Sequence, residues 1–287
     1  MLSYPVPPPS EAAVRRLLDA VLGADPARSV RPVAEGGEHA TWWAGPHHVV
    51  RFALDPDTGA RQRRERALRD LVRDRVGVAV PASAAAGEWA DGLAFTVDTR
   101  LPGVSGELRR VSRRGEARLT RMLRGLAGVT PREAAAIGLP EQPPRSMREL
   151  RARAEAAARR LAADGEFDGS PLPRPVPDTG ARAVLHNDLK GEHLRIGSGG
   201  RVLGVLDWTD AAVGDPAEDI AGLALAIGAA AAARVAAAAG HGPVLRARGI
   251  ALARHDTLIR LADRLYGDDD SPVPLLRAQR DRAWERS

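Results

Sequence analysis

The period of the hydrophobic pattern changes about a third of the way along the chain. In the first part, short apolar runs alternate with glycine-containing turns, which is typical of an antiparallel sheet. Beyond this part, apolar side chains recur at helical spacing, for example at Leu119, Met122 and Leu126. The sequence therefore predicts an α+β fold with antiparallel sheet over residues 1–101 and mainly helix over residues 102–287.

Individual elements follow from the same pattern. Ser10 precedes an amphipathic helix, and Asp57 opens a second helix that ends near Gly77. The apolar run from Ile220 to Ala233 predicts one buried helix, because it is too short and too rich in alanine to span a bilayer. Predicted strands cover residues 30–34, 40–44, 48–53, 82–89, 93–99, 183–185, 193–196 and 202–206.

Composition excludes several classes of function. The 287 residues include no Cys, which rules out thiol catalysis and thiolate metal sites. The 42 basic residues are interleaved with 37 acidic ones, and aromatic residues make up only 3%, so we expect no nucleic-acid partner. The N-terminal residues lack the charge pattern and the apolar stretch of a signal peptide. We therefore expect a cytoplasmic monomer that makes no membrane contact.

The most informative stretch places acidic residues after two predicted strands. Asp188 follows the strand that ends at Leu185, and Asp207 follows the strand that ends at Leu206. The hairpin between them should make the two carboxylates neighbours in space. Carboxylates that converge without a matching cluster of bases indicate a divalent cation, and phosphate chemistry is the usual reason for holding one.

Three motifs in this region resemble the aminoglycoside and macrolide phosphotransferases, antibiotic kinases with a two-lobed protein-kinase-like fold. The motifs match that family in order and spacing. They are His186-Asn187-Asp188 with His193 five residues later, Asp207-Trp208-Thr209-Asp210, and Asp215-Pro216-Ala217-Glu218-Asp219. The resemblance implies a nucleotide-binding lobe over residues 1–101 and a catalytic, substrate-binding lobe over residues 102–287.

The resemblance also implies roles for single residues. Asp188 would orient or accept the proton of the attacking hydroxyl, while His193 and Asp207 would hold Mg²⁺. Imidazole is a softer ligand than Mg²⁺ prefers, so Mn²⁺ is a second candidate. His186 would brace the loop through hydrogen bonds. Lys190, the single lysine of the chain, either contacts the transferred phosphoryl group or is a chance survivor on a solvated loop.

The first lobe should then bind the nucleotide phosphates. Gly36 and Gly37 lie between two predicted strands, where they form either a phosphate-binding turn or an ordinary hairpin. Arg51 stands where the family expects a strand lysine, and it can bind phosphate through two parallel hydrogen bonds. Glu65 on the following helix would be its acidic partner. The alternative for Glu65 is a surface helix rich in ion pairs.

Two further pairs complete the predicted site. Residues 96–101 would form the hinge that meets the base of ATP or GTP, with Asp98 and Arg100 as candidate nucleotide-binding residues. Asp210 and Glu218 add negative charge beside the catalytic loop and are candidates for contact with an amine-bearing substrate.

The expected function is transfer of the γ-phosphoryl group of ATP or GTP to a hydroxyl of a small molecule, with an antibiotic as the leading substrate. A protein kinase acting on another substrate is one alternative, although Gly214 and Asp215 follow Asp207 too closely to leave room for an activation segment. A metal-dependent phosphohydrolase is a second alternative, because His186, Asp188 and the two metal candidates could ligate a dinuclear centre. A nucleotide-binding regulator without turnover is the third.

Overall fold

The computed structural model describes residues 5–33 and 39–285. The chain divides into two compact units, one made of Met1–Arg73 with Ala79–Pro102 and the other of Asp74–Val78 with Gly103–Ser287. Within the described ranges, no helix is both long enough and apolar enough to cross a membrane. The functional division between residues 1–101 and 102–287 stays a prediction.

A five-stranded antiparallel sheet organises the first unit. The strands are β1 (Val30–Pro32), β2 (His39–Ala44), β3 (His48–Ala53), β4 (Ser83–Ala90) and β5 (Leu93–Thr99), in the order β1-β2-β3-β5-β4. The helices of this unit are α1 (Glu11–Leu22) and α2 (Pro56–Val72). Val14 and Leu18 of α1 belong to one buried apolar cluster with Val50, Phe52 and Val97 of the sheet. This core supports β3, the strand that carries Arg51.

The helix boundaries in the first unit partly match the prediction. α1 begins after Ser10, whose hydroxyl accepts a hydrogen bond from the Ala13 N–H. α2 begins at Pro56, one residue before the predicted start, because the Asp55 carboxylate caps it. The predicted end near Gly77 is wrong, since α2 ends at Val72. Val76 is instead fully buried in the second unit, so the chain leaves the helix before this residue.

The second unit is mainly helical. Its helices are α3 (Arg113–Ala127), α4 (Pro131–Ala136), α5 (Met147–Ala163), α6 (Ala217–Ile227), α7 (Ala229–Ala239), α8 (Pro243–Tyr266) and α9 (Val273–Trp284). Its strands are β6 (Val104–Ser105), β7 (Ala183–Leu185), β8 (Leu194–Ile196), β9 (Val202–Val205) and β10 (Ala212–Gly214). They form two small antiparallel sheets, β6-β8-β9 and β7-β10. The sequence pattern did not predict β6, β10 or α4.

The prediction of one buried helix over the run from Ile220 to Ala233 is wrong. The run is buried, but Gly228 divides it between α6 and α7. Gly228 has a φ of 92°, which a residue with a side chain rarely adopts, so the chain can turn sharply here. Two short helices therefore pack where one was expected.

Candidate active site

The ends of two strands bring the predicted catalytic segments together. β7 ends at Leu185, directly before His186, and β9 ends at Val205, two residues before Asp207. The Leu206 N–H donates a hydrogen bond of 2.8 Å to the carbonyl of His193. The hairpin of β8 and β9 therefore returns the chain to the loop that carries Asp188, as the spacing predicts.

His186 joins the two segments through its ring. The ring is fully buried, its Nδ1 accepts a 3.2 Å hydrogen bond from the Asp188 N–H, and its Nε2 donates to the Leu206 carbonyl at 2.9 Å. It also makes an edge contact with the ring of Trp208, at 4.7 Å between centroids. Burial lowers the pKa of His186 to about 4, which keeps the ring neutral. These contacts agree with a bracing role.

Asp219 at the start of α6 fixes the backbone of the same loop. Its two carboxylate oxygens accept hydrogen bonds from the N–H groups of His186 at 3.0 Å and Asn187 at 2.7 Å. Burial raises the pKa of Asp219 to about 7. Asn187 has a φ of 69° and Asp207 a φ of 54°, so both segments turn through the left-handed region. The loop geometry thus depends on these turns and on one buried carboxyl.

The Asp188 carboxylate lies between the side chains of Lys190 and His193. The Lys190 Nζ lies 2.7 Å from Asp188 Oδ1, and the His193 Nδ1 lies 3.4 Å from Oδ2. The Asp188 side chain is 18% exposed, so it remains accessible to a small molecule. The structure therefore brings together the two predicted catalytic residues.

His193 and Asp207 form a pair that fits a metal site. His193 Nδ1 lies 2.7 Å from the carbonyl of Asp188, which leaves Nε2 directed towards Asp207, 3.7 Å from Oδ2. A ligating histidine commonly donates its other ring N–H to a backbone carbonyl in this way. Outside the undescribed residues, no group of three or more His, Asp or Glu side chains is arranged to hold a metal ion. A site with two protein ligands suits Mg²⁺, which keeps waters and substrate phosphates as its remaining ligands.

A cavity of about 380 Å³ opens beside Asp188 in the second unit. Lys190 and Glu218, two of the predicted site residues, also line it. Asp210 lies on the loop after Asp207, where its carbonyl accepts a hydrogen bond of 3.1 Å from the Asn187 amide. The cavity is large enough to enclose part of a drug-sized ligand next to the Asp188 carboxylate.

The predicted pair of Arg51 and Glu65 is present in the first unit. Arg51 Nη2 lies 2.7 Å from Glu65 Oε2 and 3.3 Å from Asp98 Oδ2. Asp98 is buried and also pairs with Arg69, at 3.1 Å. Burial alone would raise the pKa of Asp98, but the charges of Arg69 and Arg51 outweigh it and hold the pKa below its ordinary value. The Asp98 carboxylate therefore organises this group of charges.

Three other residues were predicted to contact the nucleotide, namely Arg100, Gly36 and Gly37. The Arg100 guanidinium lies over the ring of Trp43, 4.4 Å from its centroid, and the Arg100 N–H donates to the His47 carbonyl. Gly36 and Gly37 lie outside the described residues.

A family described as the phosphotransferase enzyme family (APH) matches residues 29–255. The match covers most of the chain and includes the motifs at residues 186–193, 207–210 and 215–219. The chain belongs to the phosphotransferase enzyme family. Viomycin phosphotransferase of Streptomyces vinaceus is 28% identical to this phosphotransferase over 204 residues, which are 64% of this chain and 69% of that protein.

Solved structures confirm the predicted kinase-like α+β fold of this phosphotransferase. A GDP complex of wild-type aminoglycoside 2'-phosphotransferase-IIIa superimposes with a TM-score of 0.70 at 18% identity, over 95% of this chain and 99% of that one. Macrolide 2'-phosphotransferase MphH from Brachybacterium faecium gives a TM-score of 0.61 at 22% identity, over 96% and 99% of the two chains.

Several residues that support the phosphotransferase site were missed from the sequence. Gln62 and Arg69 lie three residues before and four after Glu65 on α2, so helical spacing puts them on one face and could have revealed them. Gln62 donates to the Thr96 hydroxyl at 2.9 Å. Arg145 binds Glu218 and Asp256 across the cavity wall, and no local pattern in the sequence predicts this contact.

Proposed function

We propose that the protein transfers the γ-phosphoryl group of ATP or GTP to a hydroxyl of a small molecule, with an antibiotic such as an aminoglycoside, a macrolide or a related compound as the acceptor. One observation carries the proposal. The Asp188 carboxylate borders a cavity of about 380 Å³ and lies against the His193 ring, which in turn faces Asp207. A base for a hydroxyl and a pair of metal ligands thus stand side by side.

Asp188 acts on the acceptor. Its carboxylate accepts the proton of the acceptor hydroxyl while the hydroxyl oxygen forms a bond to the γ-phosphorus. The bond between the γ-phosphorus and the bridging oxygen breaks, and the nucleoside diphosphate leaves. Lys190, whose ammonium lies 2.7 Å from Asp188, orients this carboxylate and supplies positive charge near the transferred group.

His193 and Asp207 are proposed to hold Mg²⁺, with Mn²⁺ as a second candidate. When bound, the metal ion would neutralise charge on the nucleotide phosphates. The His193 ring is oriented for this role by the Asp188 carbonyl. Asp207 is half exposed, so its carboxylate is accessible to an incoming ion.

Residues 1–101 are proposed to bind the nucleotide and residues 102–287 the acceptor. Arg51 would contact the phosphates, with Glu65 holding its guanidinium at 2.7 Å. Gly36 and Gly37 stay candidates for phosphate contact, and the segment with Asp98 and Arg100 would meet the base. Glu218 on the cavity wall and Asp210 on the neighbouring loop are the candidates for acceptor contact.

The test is a phosphotransfer assay with matched variants. Purified protein is incubated with ATP or GTP, Mg²⁺ and a panel of aminoglycosides, macrolides and viomycin, and phosphorylated acceptor is measured. Asp188→Ala should lower the rate by about 10²-fold or more, because it removes a positioned base, while nucleotide affinity measured by calorimetry persists. Asp91→Ala, at an exposed turn between β4 and β5, is the control. Transfer at the normal rate by Asp188→Ala would refute the proposed role.

A further inference from the structure

The acceptor cavity is polar but not acidic. Among the described residues, its charged lining consists of three cations and three carboxylates, which are Arg145, Lys190, Arg260, Asp188, Glu218 and Asp256. The formal charges of these side chains cancel. A cavity that binds a polyamine would be expected to present an excess of carboxylates, because each ammonium taken from water needs a compensating charge.

Arg145 is the residue that neutralises the acidic wall. Its Nε and Nη2 lie 2.9 and 2.6 Å from the two oxygens of Glu218, and its Nη1 and Nη2 lie 2.8 and 2.9 Å from those of Asp256. Both contacts are bidentate, so one guanidinium occupies all four carboxylate oxygens. This geometry is the strongest form of a carboxylate–arginine pair.

These charges are shielded from water, which strengthens their interaction. The side chains of Glu218 and Asp256 are only 9% and 23% exposed, and that of Arg145 is 32% exposed. At this degree of burial, an amine from an acceptor would have to displace Arg145 before it could pair with either carboxylate. Glu218 therefore reaches the cavity with its charge already compensated.

Arg260 adds a positive charge on the same wall. Its Nη1 donates to the neutral Gln279 amide oxygen at 3.2 Å. Among the described residues, no carboxylate oxygen lies within 4 Å of a guanidinium nitrogen of Arg260, although its charge helps to lower the pKa of Asp269. Polyamines are disfavoured here, whereas hydroxyl, carbonyl or carboxylate oxygens of an acceptor can accept hydrogen bonds from this guanidinium.

We infer that Arg145 narrows the acceptor of the proposed reaction. Of the classes named there, this cavity takes a neutral or singly charged hydroxylated molecule and rejects multiply protonated aminoglycosides. The inference rests on the proposed function, since it describes the acceptor of that reaction. Arg145 thus determines, through its charge, which acceptors bind, and it takes no part in the chemical step at Asp188.

The test measures binding of kanamycin, a multiply protonated aminoglycoside, to the full chain by titration calorimetry. The wild-type protein should show no saturable binding. Arg145→Met uncovers two carboxylates and should bind kanamycin saturably, with an affinity at least about tenfold above the weakest affinity the titration can detect, and this affinity should fall as salt is added. Arg148→Met, an exposed arginine on α5, is the control and should behave as the wild type. Saturable binding of kanamycin to the wild type, or no gain in a folded Arg145→Met, overturns the inference.

Two further measurements keep the outcomes separate. If Arg145→Met does not fold by circular dichroism, Arg145→Gln replaces it, since this variant also removes the positive charge while keeping a hydrogen-bond donor, and an absence of kanamycin binding to a folded Arg145→Gln then overturns the inference. The triple variant Arg145→Met, Glu218→Gln, Asp256→Asn removes all three charges and should lose the gain. Failure of the proposed function gives a different result from failure of this inference. The wild type would then bind nucleotide but would phosphorylate no acceptor in the panel.

Discussion

Arg51 is the residue at which nucleotide binding can be measured apart from catalysis. If its guanidinium contacts the phosphates, Arg51→Ala should weaken nucleotide binding by about 1.5–3 kcal/mol, the range for a charged hydrogen bond. Arg51→Lys should recover part of the lost binding free energy, because lysine restores the positive charge but not the bidentate hydrogen bonding of a guanidinium. Calorimetric titration of ATP and GTP into the three proteins measures the effect.

A control is needed because Arg51 also compensates Glu65, which is buried. Urea unfolding should show whether each Arg51 variant is folded before its affinity is compared. Equal nucleotide affinities in three folded proteins would mean that the first unit does not bind the phosphates through Arg51. The nucleotide would then be held by other residues, and Arg51 would have a structural role beside Glu65.

Substitutions at His193 test whether this histidine binds a metal ion or has only a structural role. His193→Asn should retain activity and favour Mg²⁺ over Mn²⁺ relative to the parent, since an amide oxygen is a harder donor than imidazole. His193→Ala should lose activity. Initial rates at a series of Mg²⁺ and Mn²⁺ concentrations measure both effects. A metal dependence that is identical in all three proteins would show that His193 binds no metal.

His186 links stability to pH. Burial lowers its pKa from 6.5 to about 4. As the pH falls from 6.5 to about 4, the imidazole therefore becomes protonated in the unfolded chain but stays neutral in the folded chain. The folded state should lose about 3 kcal/mol over this window. Asp219 acts in the opposite direction, because burial raises its pKa from 3.8 to about 7 and favours the folded state at low pH.

The His186 contribution is isolated by comparing variants. His186→Asn should lose less unfolding free energy than the wild type between pH 7 and pH 4.5, measured by urea unfolding at each pH. His47→Asn, which removes an exposed imidazole, should follow the wild-type curve. Parallel curves for wild type and His186→Asn would show that this ring does not carry the pH dependence.

At the scale of elements, the contact between α6 and α8 places Glu218 and Asp219 at the site. A Cβ on Gly249 of α8 would lie 2.6 Å from Ile220 Cβ and 2.9 Å from the Ala217 carbonyl of α6. Gly249→Ala should therefore destabilise the protein by about 1–3 kcal/mol, although alanine is the better helix former by about 1 kcal/mol. Gly242→Ala, at the start of α8 where a Cβ meets nothing within 4 Å, should cost much less. Chemical unfolding measures the stability of both variants. Equal free energies of unfolding for Gly249→Ala and Gly242→Ala would show that α6 and α8 tolerate a wider spacing.

Elements with a strong local signal were predictable, and those that depend on tertiary contacts were not. α1 follows from Ser10 and its apolar face. β10 has only three residues and exists because it pairs with β7, a contact that sequence periodicity does not report. α4 was missed although its capping box, Thr130 with Glu133, was available as a signal. The break at Gly228 was missed because an alanine-rich run reads as one helix.

At the scale of the whole molecule, the order of motifs predicted the family and the fold better than any single residue did. The sequence placed Asp188, His193 and Asp207 in one region because two strand ends and a hairpin fix their order. It did not predict that Arg145, far away in sequence, compensates Glu218, since such a pair forms only when α6 and α8 meet the segment before α5. The charge balance of the cavity beside Asp188 is therefore a property of the folded chain.

The single lysine has a practical consequence for chemical modification. Apart from the terminal amine, Lys190 is the one primary amine in a chain that contains no Cys, and it lines the cavity beside Asp188. An amine-selective acylating reagent would therefore attach a fluorophore or a cross-linker at Lys190, as well as at the terminal amine, without any engineered position. A molecule bound in the cavity would shield Lys190 from the reagent, so the extent of labelling at Lys190, resolved by peptide mapping, would report how fully the cavity is occupied.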